Sequence, residues 1–271
     1  MRWRFPATFD DVLNEFKDLS QFCFPYSSSF KIGHPESLGH EIYTFVLTSQ
    51  SGKRVYCTCL RSYLQGKHGR YDLPRRVQSA LCVVSRAPLI SAMDSVLHEL
   101  HSLQLLDGSC RATEFEHSAS RLFLLRVCEC HMDKKLSHQG ATHIVSAVPA
   151  GSSTYMMDDF VISLPSHGGV LYKEVSILPL FEVLGSSKFL ALLSAALSER
   201  RILFVSSTVS AVSSAVLSCV AMLYPFEWHH IMVPILPNKL CDYVSAPMPY
   251  IIGIRREMLK TFKHGVSIVF V

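Results

Sequence analysis

The chain has 271 residues, 49% of them hydrophobic and 18% charged, with 26 Lys and Arg against 22 Asp and Glu for a net charge of +4. Such a composition buries enough apolar surface to offset chain entropy, which excludes a disordered polypeptide, and the length suits one large domain or two modest ones. A charge of +4 spread through the sequence is too weak to imply a nucleic-acid partner.

The opening MRWRFPATFDDV has no long apolar stretch and meets Asp10 and Asp11 early, so it does not read as a secretory signal. Phe22-Cys23-Phe24-Pro25 is a short apolar run stopped by proline. The stretch from Tyr26 to His40, with a serine triplet, two glycines and Pro35, reads as a surface loop. Ile42 to Thr48 and Arg54 to Leu60 are rich in β-branched and aromatic residues, as strands prefer, and the glycine-containing segment between them predicts a hairpin. Ala80 to Ser85 predicts another strand. Pro88 then opens a helix with Met93, Val96, Leu97, Leu100 and Leu103 on one face and Asp94, His98, Glu99 and His101 on the other. Arg121 to Cys130 predicts a further strand, so the first half reads as an antiparallel sheet with helices packed on it.

From about Met132 to Gly169 the composition turns to that of a linker, with Phe160 to Leu164 as a strand inside it. The organisation expected is a lobe over residues 1–135, a linker over 136–175 and a second lobe over 176–271. In that second lobe Phe189, Leu192, Leu193, Ala196 and Leu197 recur at helical spacing, with Ser186 or Ser187 placed to cap the helix. Glu199-Arg200-Arg201 ends it, and Ile202 to Val205 follows as a strand. Ser206-Ser207-Thr208 stands where a cap is wanted for the next helix, which sets Val212, Val216, Cys219, Val220 and Leu223 against a polar face of Ser210, Ser214 and Ser218. Pro225 ends that helix, and His230 to Leu236 reads as a second buried strand. Strand, helix and strand at this spacing predict a βαβ crossover with a parallel pair. Val266 to Val271 reads as one more core strand, with a continuation expected beyond it. The uncharged run from Ile202 to Phe226 is long enough to cross a bilayer, but its serines and its division into strand and helix make it a buried core segment. The chain reads as soluble and intracellular.

Motifs that carry chemistry are scarce. No GxxxxGK[ST], GxGxxG after a strand, GxSxG or HExxH occurs, and the histidines form no Ser-His-Asp arrangement. Asp94, His98 and His101 lie at i, i+4 and i+7, a spacing able to hold a metal, yet opposite a leucine stripe they read first as a solvated face. Nine cysteines, Cys23, Cys57, Cys59, Cys82, Cys110, Cys128, Cys130, Cys219 and Cys241, lie mostly among apolar neighbours, as in a reducing compartment. Cys57/Cys59 and Cys128/Cys130 with His131 each line one strand face rather than form a zinc knuckle. Ser206 to Thr208 occupy a strand-to-helix turn of the kind that binds ligands in α/β sheets, and read as a cap. No metal or cofactor is expected, and the function reads as that of a surface.

One string is more specific. LLSAALSERRILFVSS from Leu192 to Ser207 is followed by Leu223-Tyr224-Pro225-Phe226 with Trp228, by Val233-Pro234-Ile235-Leu236-Pro237, and by Ala246-Pro247-Met248-Pro249-Tyr250-Ile251-Ile252-Gly253. In this order they resemble the central segment of a DENN domain. Phe22 to Pro25, the TFVLT…YCTCL hairpin and Cys82 to Pro88 resemble its upstream segment, so the resemblance runs from about residue 20 to 260. It implies a longin-like antiparallel N-terminal lobe followed by an α/β lobe with a parallel βαβ core, here incomplete because the family's downstream segment would lie past Val271. It further implies a guanine-nucleotide exchange factor that clamps the switch regions of a Rab GTPase, regulatory rather than an enzyme with its own catalytic residues. The alternative is a longin-type adaptor, or an inactive truncated isoform, that binds trafficking partners without exchange. Under the resemblance Glu199, Arg200, Pro247, Met248 and Pro249 are the candidate GTPase contacts, with no nucleic acid involved. The protein would be cytoplasmic and recruited to endosomal or vesicle membranes. Without the resemblance, Glu199 to Arg201 read as a helix-end ion-pair network, Pro225 and Trp228 as core, and the Pro-Met-Pro loop as packing or contact.

Overall fold

The computed structural model describes residues 19–26, 40–48, 52–66, 75–106, 142–145, 160–163, 171–261 and 267–271. The expected strand at Arg121 to Cys130 and the Cys128/Cys130 pair lie outside these residues.

The first sheet is the expected hairpin extended by a third strand. β1 (Glu41–Thr48), β2 (Arg54–Gly66) and β3 (Arg75–Ser85) are antiparallel in that order. Gly52 turns the hairpin at φ 79°, a conformation that suits glycine. Side chains alternate between two covered faces. On one, Phe22 of α1 (Leu19–Cys23) stacks on Phe45 with ring centroids 5.4 Å apart, and the Tyr43 hydroxyl donates to the Cys23 carbonyl at 2.7 Å. On the other, α2 (Ile90–Leu106) buries Met93, Val96, Leu97 and Leu100, the face its periodicity predicts. Tyr26, expected in a surface loop, is buried instead, because its hydroxyl accepts the Arg255 N–H at 3.2 Å.

The expected linker contains more structure than its composition predicts. β4 (Thr142–Val145) pairs antiparallel with β5 (Phe160–Ser163), and α3 (Leu171–Glu174) follows. α4 (Leu178–Leu197) is broken at Gly185, whose φ of 70° and ψ of 167° are not helical, so a short first part precedes the helix expected to start at Ser186 or Ser187. It is the one described helix long and apolar enough to span a membrane.

The second sheet is wholly parallel, with β6 (Ile202–Ser206), β7 (Ile231–Val233), β8 (Tyr250–Arg255) and β9 (Ser267–Phe270) in the order β7-β8-β6-β9. Every residue of β6 is buried, the mark of a parallel strand covered on both faces. The crossover helix α5 (Val209–Ala221) carries the chain from β6 to β7, but the two strands are not direct partners, because β8 inserts between them. β7 is shorter than expected, since Pro234 has no N–H for the ladder. β9 is an edge strand with Ile268 and Phe270 exposed, not a core strand. The predicted polar face of α5 holds in part. Ser214 is exposed and Ser210 half-buried, but Ser218 is buried with its hydroxyl on the Ser176 carbonyl, and Ser213, outside that face, is buried against the first sheet. Of the uncharged run from Ile202 to Phe226, the part to Leu223 is mostly core, whereas Tyr224, Pro225 and Phe226 are exposed.

The two sheets share one hydrophobic core. Ser213 Oγ accepts the Thr44 N–H at 3.2 Å and donates to the Thr44 carbonyl, closing a free edge position of β1. The Phe-Cys-Phe-Pro motif joins both halves, since the Pro25 carbonyl accepts the Asn238 N–H at 3.0 Å.

Candidate protein-interaction site

α/β sheets bind small ligands at the carboxyl ends of their strands, so that end is the first place to look for chemistry. Here the turn of Ser206 to Thr208 leads into the N-terminus of α5. Thr208 holds the cap position with its backbone extended, but its side chain makes no capping bond. Glu41 of β1 does so instead. Its Oε1 accepts the Val209 N–H at 2.9 Å while its Oε2 pairs with Arg61 Nη2 at 2.6 Å. A carboxylate is a stronger acceptor than a hydroxyl and matches the positive end of the helix dipole, which is why it takes the place expected of the serines. The anion position of the helix is therefore filled from within the chain. Among the described residues no three His, Cys, Asp or Glu side chains are arranged to hold a metal.

Asp94, His98 and His101 form a polar cluster with a member that sequence reading missed, His40. Its ring lies 5.6 Å from that of His98 and 5.3 Å from that of His101, and Asp94 Oδ2 is 3.9 Å from His98 Nε2. Burial lowers the proton affinity of His101, and His40 and His98 lower it further. A histidine whose folded pKa is depressed favours the fold when neutral, so this contribution is present above the ordinary value near 6.5 and is lost as pH falls through it. The melting temperature is expected to fall between pH 7.5 and 5.5, and His101→Gln is expected to flatten that dependence. Equal slopes for the two proteins would contradict this reading.

The opposite end of the parallel sheet gathers the residues singled out from the sequence. β6 begins at Ile202, β8 at Tyr250 and β7 at Ile231, in neighbouring register. The segments before them, 198–201, 246–249 and 224–230, therefore emerge side by side. α4 ends in paired backbone bonds, Arg200 N–H to the Ala195 carbonyl and Glu199 N–H to the Ala196 carbonyl, each 3.0 Å. This closure puts Glu199 at φ 51°, where glycine is usual. Glu199 Oε1 then meets His230 Nε2 at 3.0 Å, so it pairs with a histidine from the segment before β7, whereas the expected network joins it to the neighbouring arginines. His230 packs edge-on against Trp228 at 5.2 Å, and Trp228 is buried as expected while Pro225 is exposed. Arg201 Nη1 donates to the Ala246 carbonyl at 3.5 Å, tying the helix end to the Pro-Met-Pro loop. Tyr250 anchors the loop's other end through its hydroxyl, 2.9 Å from the Val244 carbonyl.

What remains outward is Arg200, Pro247 and Met248, the last 51% exposed, with Pro249 half-buried. Tyr224, Phe226 and Tyr243 are also exposed on segments at this end, and sequence reading missed them as candidates. Exposed aromatic residues, Met and Arg on a rigid support are the composition of a protein-binding surface. Glu199 doubles as a structural residue. Glu199→Gly is expected to stabilise the fold by about 0.5–1 kcal/mol, because release of left-handed strain exceeds the loss of a half-exposed ion pair. Chemical denaturation checks the sign, and net destabilisation would contradict it.

Comparison with known proteins gives two family matches, the DENN (AEX-3) domain over residues 76–271 and the uDENN domain over residues 1–62. DENN domain-containing protein 2A of Mus musculus is 27% identical over 91% of this chain and 22% of its own length. DENN domain-containing protein 1C of Mus musculus is 27% identical over 94% of this chain and 30% of itself. DENN domain-containing protein 1B of Homo sapiens is 27% identical over 97% and 32%. The chain thus spans between about a fifth and a third of the length of these relatives.

Proposed function

The chain belongs to the DENN domain family, and on that premise we propose that it promotes GDP release from a Rab GTPase, using the amino end of its parallel sheet as part of the contact. The observation that carries this reading is the convergence of Arg200, Pro247, Met248 and Pro249 on one supported surface, with Glu199 fixing the helix end beside them. Such a mechanism needs no acid, base or metal from this chain. It needs a surface that binds the nucleotide-free GTPase more tightly than the GDP-bound form, so that nucleotide escapes by linkage. Division into a lobe over residues 1–135, a joining segment over 136–175 and a lobe over 176–271 belongs to the same proposal, as does recruitment to endosomal or vesicle membranes through the GTPase.

The test is binding of this chain to a panel of immobilised Rabs, each GDP-loaded and nucleotide-free. Tighter binding to the nucleotide-free form of one Rab, weakened about tenfold or more by Arg200→Glu or Met248→Glu, is the expected outcome. Because Glu199→Gly is expected to leave the fold more stable, any loss of binding in that variant reports contact rather than unfolding. Equal affinity for both forms would replace exchange with an adaptor role. Strong binding that ignores the surface variants would move the site elsewhere.

A further inference from the structure

Four thiols meet on one face of the first sheet. Cys57 and Cys59 sit two residues apart on β2 and so point to the same side. Cys82 of β3 stands directly opposite Cys59. Cys23 closes the cluster from α1, where Tyr43, itself the β1 partner of Cys59, holds its carbonyl. All four are free thiols. Cys57 and Cys59 have no exposed surface and Cys23 little, whereas Cys82 is half-buried with its thiol covered. The register sets Cys59 directly between Tyr43 on β1 and Cys82 on β3.

Directly opposed residues of an antiparallel pair have Cα atoms about 4.5–5.5 Å apart. A disulfide spans about 4.4–6.8 Å between Cα atoms. Cys59 and Cys82 can therefore be bridged without moving the backbone out of register. Their Cβ atoms start about 4.5–5.5 Å apart and must draw in to about 3.8 Å. That contraction strains the bond and makes it the readily reduced kind.

We propose that Cys59 and Cys82 form a hydroperoxide-responsive dithiol that closes reversibly into a disulfide across β2 and β3. Cys82, the least buried member, gives its proton to solvent hydroxide, and its thiolate attacks one peroxide oxygen. The O–O bond breaks, hydroxide leaves and Cys82 becomes a sulfenic acid. Cys59 then attacks the Cys82 sulfur, the S–S bond forms and the sulfenic oxygen departs as water. In sum two thiols are oxidised by two electrons and hydrogen peroxide is reduced to two waters. Cys23, the neighbouring thiols and burial hold the Cys82 thiol well above its ordinary range, while hydrogen bonds from Cys23 and Cys82 hold Cys59 well below. Oxidation is therefore slow at neutral pH and accelerates as pH rises, and Cys59 is ready to resolve the sulfenic acid once it forms.

The experiment treats the whole native chain with hydrogen peroxide, blocks remaining thiols, and maps linked peptides by mass spectrometry without reductant. A dominant Cys59–Cys82 link is expected, reversed by dithiothreitol, absent in Cys82→Ser and retained in Cys57→Ser. Its rate is expected to rise about tenfold per pH unit while Cys82 stays mostly protonated. The same treatment in urea supplies the pattern of random pairing, so the wild-type result stands even if a variant fails to fold. Sulfinic Cys82 with no link, a link through Cys23, or the random pattern in the native chain would each overturn the proposal.

Discussion

Gly253→Ala is expected to destabilise the fold by about 3 kcal/mol or more, through overpacking that cannot relax. A Cβ at this position would stand 2.2 Å from the Pro234 carbonyl oxygen, 3.1 Å from its carbon and 3.2 Å from Val216 Cγ2. The first two are backbone. They cannot swing aside, because the Gly253 carbonyl accepts the Leu236 N–H at 2.8 Å and binds the same segment in place. Gly253 also pairs with Phe204 at the centre of the sheet, so any shift passes straight into the core. For a chain of this size the melting temperature should drop by about 6–12 °C. Gly52→Ala is the internal control: its site has open space within 4 Å and only its φ of 79° to oppose a side chain, so about 1 kcal/mol is expected there. Urea denaturation of both variants measures the contrast. A Gly253→Ala chain within about 0.5 kcal/mol of wild type, the range of an ordinary surface substitution, would contradict the packing described.

Ser213→Ala is the second large effect, expected at about 2–4 kcal/mol, since two buried groups lose their partner together. The hydroxyl serves the N–H and the carbonyl of Thr44 at once. Thr44 is 5% exposed, so water does not replace it. The same change leaves the Glu41 cap on Val209 as a hydrogen-bonded link between β1 and α5, and hydrogen exchange at the Thr44 amide should rise with it. Ser214→Ala, one residue on and exposed, is expected to stay within about 0.5 kcal/mol of wild type. If the two variants behave alike, the first sheet does not depend on this contact.

Local signals explain which parts of this fold are legible in the sequence. The hairpin of β1 and β2 shows in its β-branched residues and glycine turn, and α2 shows in a leucine stripe that is the buried face. β6 reads correctly because a fully covered parallel strand is a continuous apolar run. Long-range effects account for the misreadings. α5 reads as amphipathic because serine is polar, yet Ser213 and Ser218 are buried by spending their hydroxyls on Thr44 and on the Ser176 carbonyl. Glu41 caps a helix that begins 168 residues later, which no spacing rule reaches. The place of β8 between β6 and β7 depends on a crossover that adjacency in the chain does not reveal.

The candidate surface divides in the same way. Glu199-Arg200 and Pro247-Met248-Pro249 are visible as local motifs. Only the parallel register brings them to one end of a sheet. Tyr224, Phe226 and Tyr243 were missed because an exposed aromatic has the same letter as a buried one.

The most direct test is the rate at which a fluorescent GDP analogue leaves each of a panel of purified Rabs, with this chain at micromolar concentration. The account predicts release accelerated by about tenfold or more for at least one Rab, and lost when Arg200→Glu and Met248→Glu are combined in a chain that still unfolds cooperatively. If no Rab releases nucleotide faster in the presence of the folded chain, the exchange function proposed here is wrong.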